Sequence, residues 1–148
     1  MRLSAKGRYA LAALTYMARL YNNGEYITVL TISEELGISK IYLEQVFSLL
    51  KKAELVLSAK GAQGGYQLSR APKQITVLDV LSAVEVSLFE QTQDTVEEKA
   101  PEIEVALRLL VFAALDQRVS RTLSGITLAD LVREAEKHRK DQALMFYI

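Results

Sequence analysis

There is no cysteine among the 148 residues. That excludes disulfides, thiolate catalysis, and any zinc or iron–sulfur centre held by cysteine. Histidine is almost missing as well. His138 is the single one, and a lone histidine inside the run Glu136-Lys137-His138-Arg139-Lys140 reads as a solvated surface residue with no cluster around it to bind metal. With no nucleophile–base pair, metal set or phosphate loop to assemble, the sequence points to neither an enzyme nor a bound cofactor. Only 2 prolines and 7 glycines interrupt the chain, so helix formers dominate and a mostly α fold is expected. A long apolar run is absent too. The densest, Val105 to Leu115, has 11 residues and is broken by Arg108, too short to cross a bilayer. The N-terminus shows neither the apolar core nor the small-residue cleavage site of a signal peptide. The expectation is a cytoplasmic protein with no membrane contact.

Net charge is also missing, but only on average. Residues 1–73 carry 10 Lys/Arg against 5 Asp/Glu, whereas residues 74–148 carry 8 against 13, so the halves stand at +5 and −5. A basic half beside an acidic half suggests that only the first faces a polyanion. Half of the residues are hydrophobic, which fits a globular chain, and this length can hold one domain with a full core or one domain plus a small appendage.

The chain is organised around Ser33 to Ser69. It reads as a short helix, a turn at Gly37, a second helix and a two-stranded hairpin, which is a helix-turn-helix followed by a wing. In the second helix, capped by Ser39 and running to about Ala53, Leu43, Val46, Phe47 and Leu50 form one apolar stripe. Lys40, Ile41, Tyr42, Glu44 and Gln45 lie on the other side of its first turns, where side chains can reach base edges and phosphates in a major groove. Lys51 and Lys52, in the last turn, suit either the helix dipole or phosphate contacts. The hairpin strands, Leu55 to Ala59 and Tyr66 to Ser69, flank Lys60-Gly61-Ala62-Gln63-Gly64-Gly65. Its glycines let the backbone approach a surface closely, and Lys60 or Gln63 could enter a minor groove or touch phosphate.

Upstream, Ser4 is a candidate N-cap for a helix whose stripe is Ala10, Leu14, Met17 and Tyr21, ended by Asn22-Asn23-Gly24. Arg2, Lys6 and Arg8 at its start are candidate phosphate contacts. Tyr26 to Leu30 reads as a short strand or a linker. Thr31-Ile32-Ser33-Glu34 looks like a capping box that starts the next helix near Ile32. Downstream, two more boxes, Thr76 to Asp79 and Thr127 to Asp130, open helices. Ser87 to Ala100 is acidic and reads as a loop. Pro101 opens a helix to about Leu123 that is apolar nearly all round. Such a helix must be covered on every face, by a second subunit or by the chain's own neighbouring elements; too few elements remain for the latter, so a homodimer is expected. The apolar end, Ala143 to Ile148, is expected to dock on its own domain or on the partner.

The stretches M-R-L-S-A-K-G-R-Y-A-L at the start, I-S-x-x-Y-L-E-Q at Ile38 to Gln45 and L-V-x-S-x-K-G-A-x-G-G-Y-x-L at Leu55 to Leu68, with their spacing, resemble the Rrf2 family of bacterial winged-helix transcription regulators. The resemblance implies a homodimer with a long helix between subunits. It also implies a roughly palindromic double-stranded DNA operator, base-proximal Lys40, Ile41 and Glu44, Tyr42 near the backbone, and a wing tip at Lys60 and Gly61. The candidate DNA-binding set is therefore Arg2, Lys6, Arg8, Ser39, Lys40, Ile41, Tyr42, Glu44, Gln45, Lys51, Lys60, Gly61, Gln63 and Gly64. Many members carry three cysteines between the fourth helix and the dimer helix as iron–sulfur ligands; Val86 to Ala100 has none. Lys60 replaces the usual wing Arg and cannot make the same bidentate contact, and Glu54 replaces a usual Gly.

Within the family the chain is similar to the cysteine-free branch that represses cysteine metabolism, sharing G-A-x-G-G-Y and a terminal M-F-Y-I. That resemblance implies cysteine synthase as a protein co-repressor. The expected division is a winged helix-turn-helix domain over 1–85 and a dimerisation and candidate effector region over 86–148. A winged-helix module that binds protein rather than DNA is the competing reading.

Overall fold

The computed structural model of the chain describes residues 2–61 and 64–147. Helices α1 (Ala5–Arg19), α2 (Val29–Leu36) and α3 (Lys40–Lys52) come first. The strands β1 (Val56–Ser58) and β2 (Tyr66–Leu68) follow, then α4 (Val77–Val84), α5 (Pro101–Leu107), α6 (Ala113–Ser124) and α7 (Leu128–Tyr147). Short 3-10 turns lie at Tyr21–Asn23, Pro72–Gln74 and Val86–Phe89. The fold is the expected one: mostly helical, with a two-stranded antiparallel hairpin in the register Val56↔Leu68, Leu57↔Gln67, Ser58↔Tyr66.

Side-chain caps set most of the helix starts. Ser4 accepts from the Gly7 N–H at 3.2 Å, and Ser39 from the Tyr42 N–H at 3.5 Å. Reciprocal boxes at Thr76/Asp79 and Thr127/Asp130 open α4 and α7. Each such cap satisfies backbone donors that the helix cannot use and contributes on the order of 1 kcal/mol. One expected start is displaced. Helix α2 opens at Thr28, whose Oγ1 accepts from the Thr31 N–H at 3.1 Å, not at Thr31. Thr28 holds extended backbone just ahead of Val29, and its own hydroxyl donates to Thr31 Oγ1 at 2.9 Å. Thr31 is thereby placed inside the first turn. The strand-like character of Tyr26 to Leu30 shrinks to one residue: Ile27 and Tyr66 exchange both backbone hydrogen bonds at 2.8 Å.

One core draws on α1, α2, α3, the hairpin, α4 and α7. Ala10, Ala13 and Leu14 of α1, Ile32 of α2, the full stripe Leu43, Val46, Phe47 and Leu50 of α3, Val80 of α4 and Leu128 of α7 are fully buried. Phe47 also stacks on Tyr66 of the wing, centroids 4.7 Å apart. Burying a side chain of this size stabilises by roughly 1.5–3 kcal/mol. Tyr21, expected on the α1 stripe, is 41% exposed, because α1 ends at Arg19 and the next residues turn away as a 3-10 segment.

The helix from Pro101 runs continuously to Ser124, with one π turn at Arg108–Phe112 where Ala113 donates to the Arg108 carbonyl. Much of its apolar surface is not covered by the chain itself: Leu109, Leu110, Ile103 and Val105 are all more than half exposed. In its first turn, Glu104 is buried and organises the acidic loop that precedes the helix. Its carboxylate accepts from the Thr95 N–H at 3.1 Å and the Val96 N–H at 2.9 Å, and it pairs with Arg108 at 3.5 Å. Arg108 also donates to Asp94. The chain then returns: Val77 donates to Ile126 at 2.8 Å and Leu128 to Ile75 at 2.9 Å, which seats the start of α7 against α1 and α4. The far end of α7 leaves the body, with Leu144 and Met145 at 63% and 78% exposure. Among the described residues no helix is long and apolar enough to cross a membrane.

Candidate nucleic-acid interface

Helix α3 is held by its apolar stripe, so the other side of its first two turns faces outward. Lys40, Ile41, Glu44 and Gln45 are all exposed there. Ile41, at 71% exposure, leaves an aliphatic side chain in water at the N-terminus of the helix, free to pack on another surface. Lys40 and Glu44 form an exposed pair at 3.8 Å, which contributes only about 0.3–0.5 kcal/mol at this spacing. Both charges are therefore available to other partners. Ser39 is spent locally on its cap, and its remaining surface is exposed.

Tyr42 is half-buried and meets Tyr9 of α1 edge to face, centroids 5.1 Å apart. Tyr9 was not legible as a site residue, because the contact exists only once α1 and α3 are packed. It holds the first turn of α3 from behind, and Arg8 lies 5.8 Å from the Tyr9 ring centroid. Arg2, Lys6 and Arg8 are exposed at the start of α1. Lys51 and Lys52 are exposed at the opposite end of α3, roughly 16 Å along the helix from Lys40 at 1.5 Å per residue; they cannot share one contact with it.

The wing is fastened to the same surface. A groove of about 520 Å³ is lined by Thr28, Val29 and Leu30 of the α2 start, Lys40 and Glu44 of α3, and Gly65 and Tyr66 at the wing base. A side chain at Gly65 would press on the Ile27 carbonyl at 3.1 Å, so the wing sits this close only because residue 65 is glycine. Lys60 and Gly61 are exposed at the tip, and Gly61 and Gly64 hold φ of 125° and 61°, conformations that the turn needs and side chains resist. Gln63 lies outside the described residues.

The wing is entered through Glu54, the one described non-glycine residue with positive φ, at 61°. It ends α3: its N–H donates to the Lys51 carbonyl at 2.9 Å and the Leu55 N–H to Leu50 at 3.0 Å. Ser69 Oγ donates to the Glu54 carbonyl at 2.7 Å, tying the end of β2 to the bend.

Elsewhere in the chain, the groups able to hold a metal are nearly all carboxylates. Asp94 and Glu104 are already engaged by Arg108 and by backbone N–H groups. Glu97 has its carboxyl raised above the ordinary range by a hydrogen bond with Asp94 and by that residue's charge. His138 is exposed on α7, 3.0 Å from Glu134. Among the described residues, no group of three or more His, Asp or Glu is placed to hold a metal ion.

Comparison with known proteins matches this geometry to one kind of protein. The family model Rrf2, described as iron-dependent transcriptional regulator, matches residues 3–134. The HTH-type transcriptional regulator IscR of Sodalis glossinidius is 41% identical over 136 residues, which is 92% of this chain and 81% of that protein. Among solved structures, CymR (YrzC), the global cysteine regulator of B. subtilis, superposes with TM-score 0.71 at 30% identity over 90% of this chain and 98% of its own. IscR of T. potens gives 0.69 at 33% identity over 93% and 90%.

Proposed function

Because the chain belongs to the Rrf2 family of DNA-binding transcription regulators, we propose that it is a repressor that binds, as a homodimer, a roughly palindromic operator. The observation that carries this reading is the outward first turn of α3, with Lys40, Ile41, Glu44 and Gln45 set beside the wing base on the basic half of the chain. In a major groove, Glu44 accepts from a cytosine amino group and Ile41 packs on a thymine methyl. Lys40 reaches a base edge or a phosphate. Tyr42 stays near the backbone. Arg2, Lys6, Arg8 and Lys51 supply phosphate contacts, which add salt-dependent affinity without sequence information. Lys60, Gly61, Gln63 and Gly64 form the wing tip, with Lys60 acting as a point charge and not as a fork.

Residues 1–85 form the reading unit in this proposal, and 86–148 the dimerisation and effector region. The exposed apolar face of the helix from Pro101 favours a second copy as its cover: Leu110 is 79% exposed and Leu109 68%, a state that costs solubility in a lone chain. Two-fold symmetry of that pair presents two reading heads to a palindrome.

The regulator works without an iron–sulfur cluster. The family description is iron-dependent, but the residues here do not fit such a group: the chain has no thiolate to offer, and the loop ahead of α5 is held by Glu104 and Arg108 instead. Its place of action is then the bacterial cytoplasm, on the nucleoid.

Sequencing the fragments that the protein selects from its own genome tests the reading, together with gel shifts at several salt concentrations. A shared inverted repeat is expected, and absence of binding even at low salt would overturn it. The competing role is a winged-helix module acting through a protein partner such as cysteine synthase. It is favoured by the exposed apolar end of α7, Leu144 and Met145, and would be supported by protein binding without any gel shift.

A further inference from the structure

The start of α1 contains a buried carboxylate that the DNA-reading role does not use. Glu85 closes α4 and is only 8% exposed. Its Oε1 accepts from the Ser4 N–H at 2.8 Å and also from the Ser4 hydroxyl. Ser4 in turn caps α1 through the Gly7 N–H. No acidic residue lies in the first turn of α1, so Glu85 brings to that helix N-terminus, from 81 residues away in sequence, the negative charge it lacks. The fit is close. Gly7 is buried, and a methyl group there would overlap the Glu85 carboxyl; two positions distant in sequence are thus mutually constrained.

Geometry makes this more than a cap. The arm held by Ser4 carries Arg2 on one side and Lys6 and Arg8 on the other, all exposed. Arg2 lies outside the helix, and Ser4 is the anchored residue nearest to it in sequence. Bringing a mobile cation to a phosphate costs ordering entropy at the moment of binding. The residue immediately after Glu85 begins the 3-10 turn Val86–Phe89 and the loop that leads to the long helix.

We propose that Glu85 is a positioning residue for DNA binding. Its carboxylate clamps the N-terminal arm through Ser4 and so fixes Arg2 and Lys6 against the phosphate backbone. This rests on the DNA-binding reading above. It assigns Glu85 no contact with DNA.

The test is fluorescence anisotropy of the full-length protein on an operator duplex from the genomic selection and on an unrelated duplex, across a range of salt concentrations. Each phosphate contact contributes about 0.9 to the slope of log affinity against log salt. Glu85→Ala is expected to weaken both duplexes alike, by about tenfold at moderate salt, and to lower the slope by one to two contacts. Arg2→Ala with Lys6→Ala should lower it equally, and adding Glu85→Ala to that pair should lower it no further. Glu85→Gln keeps an acceptor for the Ser4 N–H and should restore most of the slope. A purely structural role lowers the urea midpoint and leaves the slope of the folded protein at the wild-type value; that result overturns the clamp. If Glu85→Ala does not fold, Ser4→Ala decides in its place, and a wild-type slope there overturns it equally. Wild-type protein that binds neither duplex removes the DNA-binding reading and the clamp together, whereas wild-type binding with unchanged variants removes the clamp alone.

Discussion

Glu54 holds a left-handed backbone that most side chains avoid, at a cost on the order of 1–2 kcal/mol. Replacing it with glycine removes that cost and adds some unfolded-state entropy. Glu54→Gly is therefore expected to raise stability by up to about 1 kcal/mol, read as a higher urea midpoint with an unchanged denaturant slope. Glu44 and Lys52 separate two kinds of contact. Glu44→Ala should relax the sequence preference at one or two operator positions by about 1–3 kcal/mol of discrimination, while Lys52→Ala weakens all duplexes alike. Equal effects on every sequence from both variants would remove the base-reading role of Glu44. The outward positions of α3 were legible because a periodic apolar stripe fixes which way the other residues point. Tyr9, Glu85 and Glu104 were not legible. Each acts through a partner that the fold, rather than local spacing, brings near: Tyr42, Ser4, and the Thr95–Val96 backbone.

Among the elements, capping chemistry was the most readable signal, and it held where a hydroxyl and a carboxylate answer each other three residues apart. The box at Thr31 failed because Thr28, three residues earlier, had the extended backbone a cap requires. In the third box, the Thr127 N–H directed at Asp130 holds that carboxyl below the ordinary aspartate range. A lowered carboxyl stabilises the fold above its unfolded value, and the contribution disappears as pH falls through its folded value. Asp130→Asn is thus expected to lose less stability than wild type on acidification below about pH 4, measured by thermal melts across pH. The long helix makes a stronger prediction. Leu110→Glu places a charge on its most exposed apolar position. It should convert the proposed dimer into a monomer in sedimentation equilibrium while leaving the helical circular dichroism close to wild type. A variant that sediments as wild type would show that this face is not the contact. The π turn within that helix had no sequence signal, since Arg108 to Phe112 contains neither proline nor glycine.

For the molecule as a whole, one core draws on both the basic and the acidic half of the chain. Leu128, far into the acidic half, is fully buried in the same core as Leu14 and Phe47. Cutting after residue 85 removes that side chain and exposes the α1 surface under α7 and the α4 surface under α6. The fragment 1–85 is expected to melt cooperatively at a lower temperature than the full chain or to lack a cooperative transition, which calorimetry resolves.

This closure by α7 also has a consequence in time. A ribosome releases the chain from the N-terminus at about 5–20 residues per second, so α3 and the wing emerge well before Leu128 does. Until α7 arrives, the helix-turn-helix and wing lack part of their core. Competence to bind DNA is therefore acquired late in synthesis. Truncated products of interrupted translation would compete poorly with finished regulators for the same DNA.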